Sequence, residues 1–137
     1  MDHASIEDFD FIMGEFRKLG KIFPHIRTNY VERKLNSGSV IFHGGVIIIY
    51  NIYKRVQRLG NIKAKKGDCV LHQIINVSSS NASQVLQEFY KYVNTTVYLS
   101  VRADNERAIK FYLKNDMEEI SDISWADGKI KGKVFVH

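Results

Sequence analysis

Between residues 68 and 116 the chain alternates twice between a short apolar run and an amphipathic one, and this alternation constrains the fold more than any other feature. DCVLHQIINV (68–77) is rich in β-branched residues and reads as a strand. SNASQVLQEFYKYV (80–93) spaces Val85, Leu86, Phe89 and Val93 for one buried helical face. TVYLSVRA (96–103) reads as a second strand and NERAIKFYLKND (105–116) as a second helix. Strands separated by helices imply parallel neighbours in part of a sheet. Hairpin signals add antiparallel ones: SVIFH and GVIIIYNIY meet at Gly44-Gly45, and MEEISDISW and KIKGKVFVH meet at Asp127-Gly128. Two helical patterns come first. SIEDFDFIMGEFRKLG (5–20) sets Phe9, Ile12, Met13 and Phe16 on one face, with Ser5 and Asp8 spaced as a capping pair and Gly20 as a stop. The second runs from about His25, just past Pro24, to Leu35. The expected order is ααββ(β)αβαββ. The fold class is α/β in the mixed α+β sense: one domain over 1–137, with a central mixed parallel and antiparallel sheet flanked by helices.

Composition narrows the function classes. No apolar run approaches the ~20 residues that span a bilayer, and the acidic start MDHASIEDFDF lacks the basic opening of a secretory leader. The lone Cys69 allows no internal disulfide and no multi-cysteine zinc site, which fits a reducing cytoplasm. The five histidines show no metal spacing, so no metal is expected. A net charge of +5 suits an anionic ligand, either a phosphorylated cofactor or nucleic acid.

The helix at 105–116 raises the question of chemistry. Residues three, four and seven apart share a face, so Asn105, Ala108 and Tyr112 form one stripe. Ile109 and Leu113 stand beside it for the core, and Glu106, Lys110 and Lys114 take the solvent side. Asp104 or Asn105 can cap the helix. From the residues alone, Asn105 is a cap or a ligand contact, and Tyr112 is a packed ring or a proton donor.

The run VRADNERAIKFYLKNDM, with its N-x-x-A-x-x-F-Y core between two strands, resembles the C-terminal half of the GNAT superfamily of N-acetyltransferases. Asp116 and Met117 replace the family's usual closing Gly-Phe. The resemblance covers about Cys69 to His137, and the first half agrees by element order alone. It implies an acetyl-CoA-dependent enzyme that passes an acetyl group directly to an amine acceptor. The cofactor would lie between two splayed strands, with backbone groups at Ile75, Asn76 and Val77 along the pantetheine arm. Asn105 and Ala108 would flank the cofactor, and Tyr112 would protonate the departing thiolate, as an ordinary Tyr with pKa ~10 can at neutral pH.

The resemblance also brings departures. In the phosphate loop the family presents glycines at the start of a helix, where bare N–H groups and the helix dipole hold pyrophosphate. Here the matching positions are Ser78, Asn81 and Ser83, with Ala82 between the last two: S-x-x-N-x-S, without glycine. That segment can hold phosphate through Asn and Ser, or serve only as a helix cap. The chain starts at a helix, so the family's first strand is not expected. Brevity and the Ser/Asn-rich loop are similar to those of phage-encoded members, including the Mom-type DNA-modification enzymes. A nucleobase-modifying enzyme and a non-catalytic nucleic-acid or protein-binding module are therefore the alternatives.

The acceptor side is open. Asp68, His72, Glu32 and His43 are candidate bases, and Arg27, Tyr30 and Lys34 a candidate acceptor wall. KRVQRLGNIKAKK (54–66) carries six cations around Gly60 and reads as a solvated hairpin tip or a weak nucleic-acid contact, which Lys129, Lys131 and Lys133 could extend. A homodimer is plausible.

Overall fold

Two adjacent left-handed glycines decide the first hairpin. Gly44 and Gly45 have φ of 56° and 75°, which a two-residue turn needs to match the strand twist and which costs glycine nothing. The computed structural model describes residues 1–20, 26–77 and 81–137. Pro24, His25 and Ser78 therefore lie outside the described residues. The elements are α1 (Phe9–Lys18), α2 (Thr28–Asn36), β1 (Val40–His43), β2 (Val46–Ile52), β3 (Gln57–Leu59), β4 (Ile62–Ala64), β5 (Cys69–Asn76), α3 (Ala82–Val93), β6 (Val97–Arg102), α4 (Glu106–Lys114), β7 (Glu118–Trp125) and β8 (Ile130–Val136). This is the expected mixed α+β class, and the hairpin tip expected at 54–66 carries two short strands, β3 and β4, that the expected order did not include. None of the described helices is long and apolar enough to cross a membrane.

The chain divides into two compact units, residues 1–50 with 73–85 and residues 51–72 with 86–137. In the first, β2 lies between β1 and the second half of β5. Its core gathers Ile12, Met13 and Phe16 from α1, Val31 and Leu35 from α2, and Val40, Ile47, Ile49 and Ile75 from the strands. Burying each such side chain is worth roughly 1.5–3 kcal/mol, so the apolar stripe rather than helix propensity holds these two short helices. Ser5 and Asp8 form the expected capping pair at the 3₁₀ turn leading into α1, the Asp8 carboxylate accepting the Ser5 N–H at 2.8 Å.

One expectation is corrected in this unit. The segment before α1 does pair like a short first strand: His3 bridges Ile41, Ala4 N–H donates to Val40 O at 2.9 Å, and Phe42 N–H donates to Asp2 O at 3.0 Å. Three residues are too few to show a period in sequence.

In the second unit β6 lies between the first half of β5 and β8, with β7 outermost. The β6–β8 and β7–β8 pairs are antiparallel and the β5–β6 pair is parallel, as a helical crossover requires. Leu86 and Phe89 of α3 and Leu99 and Phe135 of the strands are fully or almost fully buried. Cys69 is buried too, and burial first, then the Asp68 charge, push its thiol up to about 12. The turn from β7 to β8 keeps three successive residues left-handed, Ala126, Asp127 and Gly128.

Candidate functional site

The parallel ladder between β5 and β6 is short. It pairs Cys69 with Val97 and Val70 with Tyr98, and no further pair occurs among the described residues although both strands continue. The other edge of β6 is fully used: Val97 and His137 exchange both backbone hydrogen bonds, and pairing with β8 runs from Tyr98 to Arg102. Because strand amides alternate in direction, Val97, Leu99 and Val101 bond toward β8. The N–H and C=O of Ser100 therefore turn to the edge that β5 has left. Sequence reading did not single out Ser100, although a lone serine in an apolar strand was a usable sign.

The loop after β6 brings the N-x-x-A-x-x-F-Y motif into place. Asn105 N–H donates to Arg102 O at 3.0 Å, and its Oδ1 accepts the Ala108 N–H at 3.2 Å, so Asn105 is the N-cap of α4. Its side-chain amide nitrogen has no partner among the described residues. Tyr112 is 9% exposed, and burial raises its phenol to about 12. Its ring lies 6.1 Å from that of Phe135. Its hydroxyl has no hydrogen-bond partner among the described residues. A protonated donor on a buried ring, without a partner among the described residues, is what an acid catalyst requires.

The stripe expected to face the core on α4 is corrected. Leu113 is 54% exposed, whereas Tyr112 and then Asn115 are buried. Asn115 resolves its own polarity by donating to Phe111 O at 2.7 Å, and its backbone carbonyl accepts the Tyr90 hydroxyl at 2.9 Å. The stripe that looks polar in sequence is the inward one.

The first unit holds the phosphate-loop and strand-end candidates. Asn81 caps α3: its Oδ1 accepts the Gln84 N–H at 3.0 Å, its carbonyl accepts the Val85 N–H at 3.1 Å, and its Nδ2 donates to Gln84 Oε1 at 3.3 Å. Among the described residues no partner takes the N–H of Ala82 or Ser83, which open the helix beside it. The β1–β2 turn holds this segment from both sides. Gly45 O accepts the Val77 N–H at 2.9 Å, and a Cβ on Gly44 would lie 2.9 Å from a methyl of Val85. Of the strand residues expected along a cofactor arm, Val77 thus has its N–H already committed. Ile75 is buried in the first unit's core, and Asn76 is exposed.

The acceptor candidates differ in their local surroundings. Tyr30 donates to Gln73 Oε1 at 2.9 Å, and burial raises its phenol. Lys34 stands 5.8 Å from the centre of the Tyr30 ring, with its ammonium lowered by burial and then by Arg33. Arg27 is the residue before α2. Asp68 is engaged in a turn, accepting the Lys65 N–H at 2.8 Å, and His43 Nδ1 lies 3.2 Å from Asp2 Oδ2. Glu32 and His72 are exposed.

A search by sequence against family models and characterised proteins finds no match. Solved structures do match. An acetyltransferase of the GNAT family from Bacillus cereus ATCC 10987 is 18% identical, with 98% of this chain and 93% of that one covered and a TM-score of 0.69. An N-acetyltransferase from Staphylococcus aureus Mu50 is 13% identical, covers 99% and 98% of the two chains and has a TM-score of 0.71. Arabidopsis thaliana NAA60 in complex with acetyl-CoA is 15% identical over 98% and 96%, with a TM-score of 0.65. Nearly the whole chain, first half included, therefore takes the fold of the GNAT N-acetyltransferases.

Proposed function

We propose that this chain is an N-acetyltransferase that uses acetyl-CoA and transfers the acetyl group directly to an amine. The observation that carries the reading is the parallel ladder that ends at Val70 and Tyr98 while both strands run on, leaving the Ser100 amide and carbonyl on an unpaired strand edge. Such an edge offers the hydrogen bonds that an amide-bearing pantetheine arm makes. Similarity to a fold whose solved examples include one in complex with acetyl-CoA supports the same reading.

The residues present fit that cofactor. Ala82 and Ser83 offer N–H groups at the positive end of a twelve-residue helix, where phosphate is favoured even without glycine. Asn81 supplies the cap that keeps this turn formed. Ser78, the remaining loop position, is proposed to add a hydroxyl donor. The free amide nitrogen of Asn105 can donate to a carbonyl of the arm, with Ala108 proposed to flank it one turn along the same stripe. Acetyl-CoA, when bound, supplies an acyl group activated as a thioester. The protein's tasks are to orient that carbonyl through backbone groups near Ile75 and Asn76 and to hold a proton ready at Tyr112. With an amine placed to take the acetyl group, Tyr112 would give its hydroxyl proton to the departing thiolate and regain one from solvent, which its raised phenol favours. The proton lost by the amine passes to solvent. With its phenol raised to about 12, Tyr112 stays protonated throughout the physiological range.

Thermal unfolding with and without acetyl-CoA tests this reading. A ligand that binds only the folded protein stabilises it by ~2.7 kcal/mol at a hundredfold excess over Kd, so a clear rise in Tm is expected. No rise at millimolar acetyl-CoA would leave a non-catalytic binding module as the better account.

A further inference from the structure

The β3–β4 hairpin is an arm of the second unit, and its tip rests on β7. Gly60, with φ of 60°, sits so close to β7 that an added Cβ would lie 2.8 Å from Ser121 Oγ and closer still to the Asp122 carbonyl. The next residue, Asn61, donates its N–H to Ser121 Oγ at 3.0 Å, and Ser121 Oγ donates in turn to Asp122 O at 2.9 Å. Ser121 is presented by an irregularity in the β7–β8 pairing after Glu119, the usual way a strand re-aims a side chain. The tip is therefore docked.

Docking the arm creates an open groove of about 810 Å³, walled by Arg58, Gly60 and Asn61 on one side and by Ala103, Ile123 and Gly132 among others on the other. Three cations line it, Arg58, Lys131 and Lys133, against one acid, Asp122. Lys133 is spent on that acid, lying 3.1 Å from Asp122 and 3.5 Å from Glu119. Arg58 and Lys131 remain. The Arg58 Nε donates to Gly60 O at 3.1 Å, which fixes the plane of the guanidinium. Its two terminal nitrogens have no partner among the described residues. Directly across the hairpin from Arg58 stands Lys63, and like charges in opposed positions repel unless an anion lies between them. Residues 51–68 hold six cations and one acid, Asp68.

We propose that this groove binds a single oxyanion, a carboxylate or a phosphate, and that Arg58 with Lys131 reads it. A guanidinium pinned at Nε presents a flat pair of donors that suits a two-oxygen anion. This anion site does not rest on the acetyltransferase reading.

The single tryptophan makes the site observable. The Trp125 ring lies within 2.5 Å of where a Cβ on Gly132 would stand, so it rests on the groove wall. Inorganic phosphate and succinate are titrated separately against Trp125 fluorescence, without acetyl-CoA and at constant ionic strength held with chloride. A saturable change is expected with at least one of them. Arg58→Gln should weaken it at least tenfold and Lys131→Gln severalfold, while Lys66→Gln, outside the groove, should leave it unaltered. The probe that saturates at lower concentration names the source. No saturable change with either probe would overturn the proposal. So would equal weakening by all three variants, or tighter binding of a short DNA duplex that Lys66→Gln diminishes as much as Arg58→Gln does, since each is the mark of diffuse charge. The acetyl-CoA melting shift is unaffected by any of these outcomes, so the two readings fail separately.

Discussion

The two asparagine-capped helices, α3 and α4, begin with the same device and differ in the groups they leave free. In each, an Asn oxygen accepts the N–H three residues on, Gln84 in one and Ala108 in the other. In α3 the cap amide is also occupied, by Gln84, and the free groups are the N–H of Ala82 and Ser83 at the very start. In α4 the cap amide is unengaged, and the group of chemical interest lies two turns in, on Tyr112. A cap satisfies the helix wherever it occurs. The unoccupied groups, and how far along the helix they stand, separate an anion-holding terminus from a helix that delivers a proton donor.

Removing the far end of α4 should have the largest effect. Tyr112→Phe is expected to lower kcat by ~10²-fold or more, the usual scale for losing a general acid, with little change in acetyl-CoA affinity. The Tyr112 phenol is raised from 10.0 to about 12. The acid form therefore persists to high pH, and the parent should show no alkaline fall in kcat from this group between about pH 7 and 10. The stability contribution has a definite sign. A pKa raised in the folded state favours folding fully below the unfolded value and is lost as pH rises through the folded one. Between about pH 10 and 12 the parent should therefore lose roughly 2–3 kcal/mol that the Phe variant keeps, at ~1.4 kcal/mol per pH unit. Denaturant melts across that range check it. A Phe variant that turns over as fast as the parent would reduce α4 to packing and erase the contrast.

A smaller effect is expected at the near end of α3. Asn81→Asp keeps the cap, because Asp serves as well as Asn there, but sets a carboxylate beside the Ala82 and Ser83 amides. Acetyl-CoA affinity should fall about tenfold, or ~1.4 kcal/mol, with the free protein as stable as before. Calorimetric titration of parent and variant measures it. Unchanged affinity would place the pyrophosphate away from α3.

Smallest, and a sharpening of the comparison, are the paired cap deletions. Asn81→Ala and Asn105→Ala should each cost about 1 kcal/mol of stability, a few degrees in Tm. If only one of them does, the two termini are not the equivalent devices their geometry indicates.

Much of this was legible in the chain, and the failures have physical causes. The hairpins at Gly44-Gly45 and Asp127-Gly128 announce themselves because left-handed backbone demands those residues. The βαβ alternation gives the parallel pair. On α4, a nine-residue helix leaves two adjacent stripes that a 3.6 period cannot rank, and the apolar-looking Leu113 is the exposed one. Asn115 is buried because it satisfies itself on the preceding turn, which composition does not reveal. β3 and β4 have three residues each, too short for a pattern, and the docking of Gly60 on β7 joins positions about sixty residues apart. At the candidate site, sequence named Asn105, Ala108 and Tyr112 through a family likeness. It did not single out Ser100, whose importance comes from a ladder ending elsewhere.

The docked arm also changes how the chain can be handled. Gly60-Asn61 and Asp127-Gly128 are both glycine-bearing turns in polar surroundings, the places where foreign segments are ordinarily spliced in. They are not equivalent. Gly128 has nothing within 4 Å of an added Cβ, whereas Gly60 is pressed against the backbone of β7. An epitope or fluorophore has room at the β7–β8 turn, and at the β3–β4 turn it would act as a crowbar.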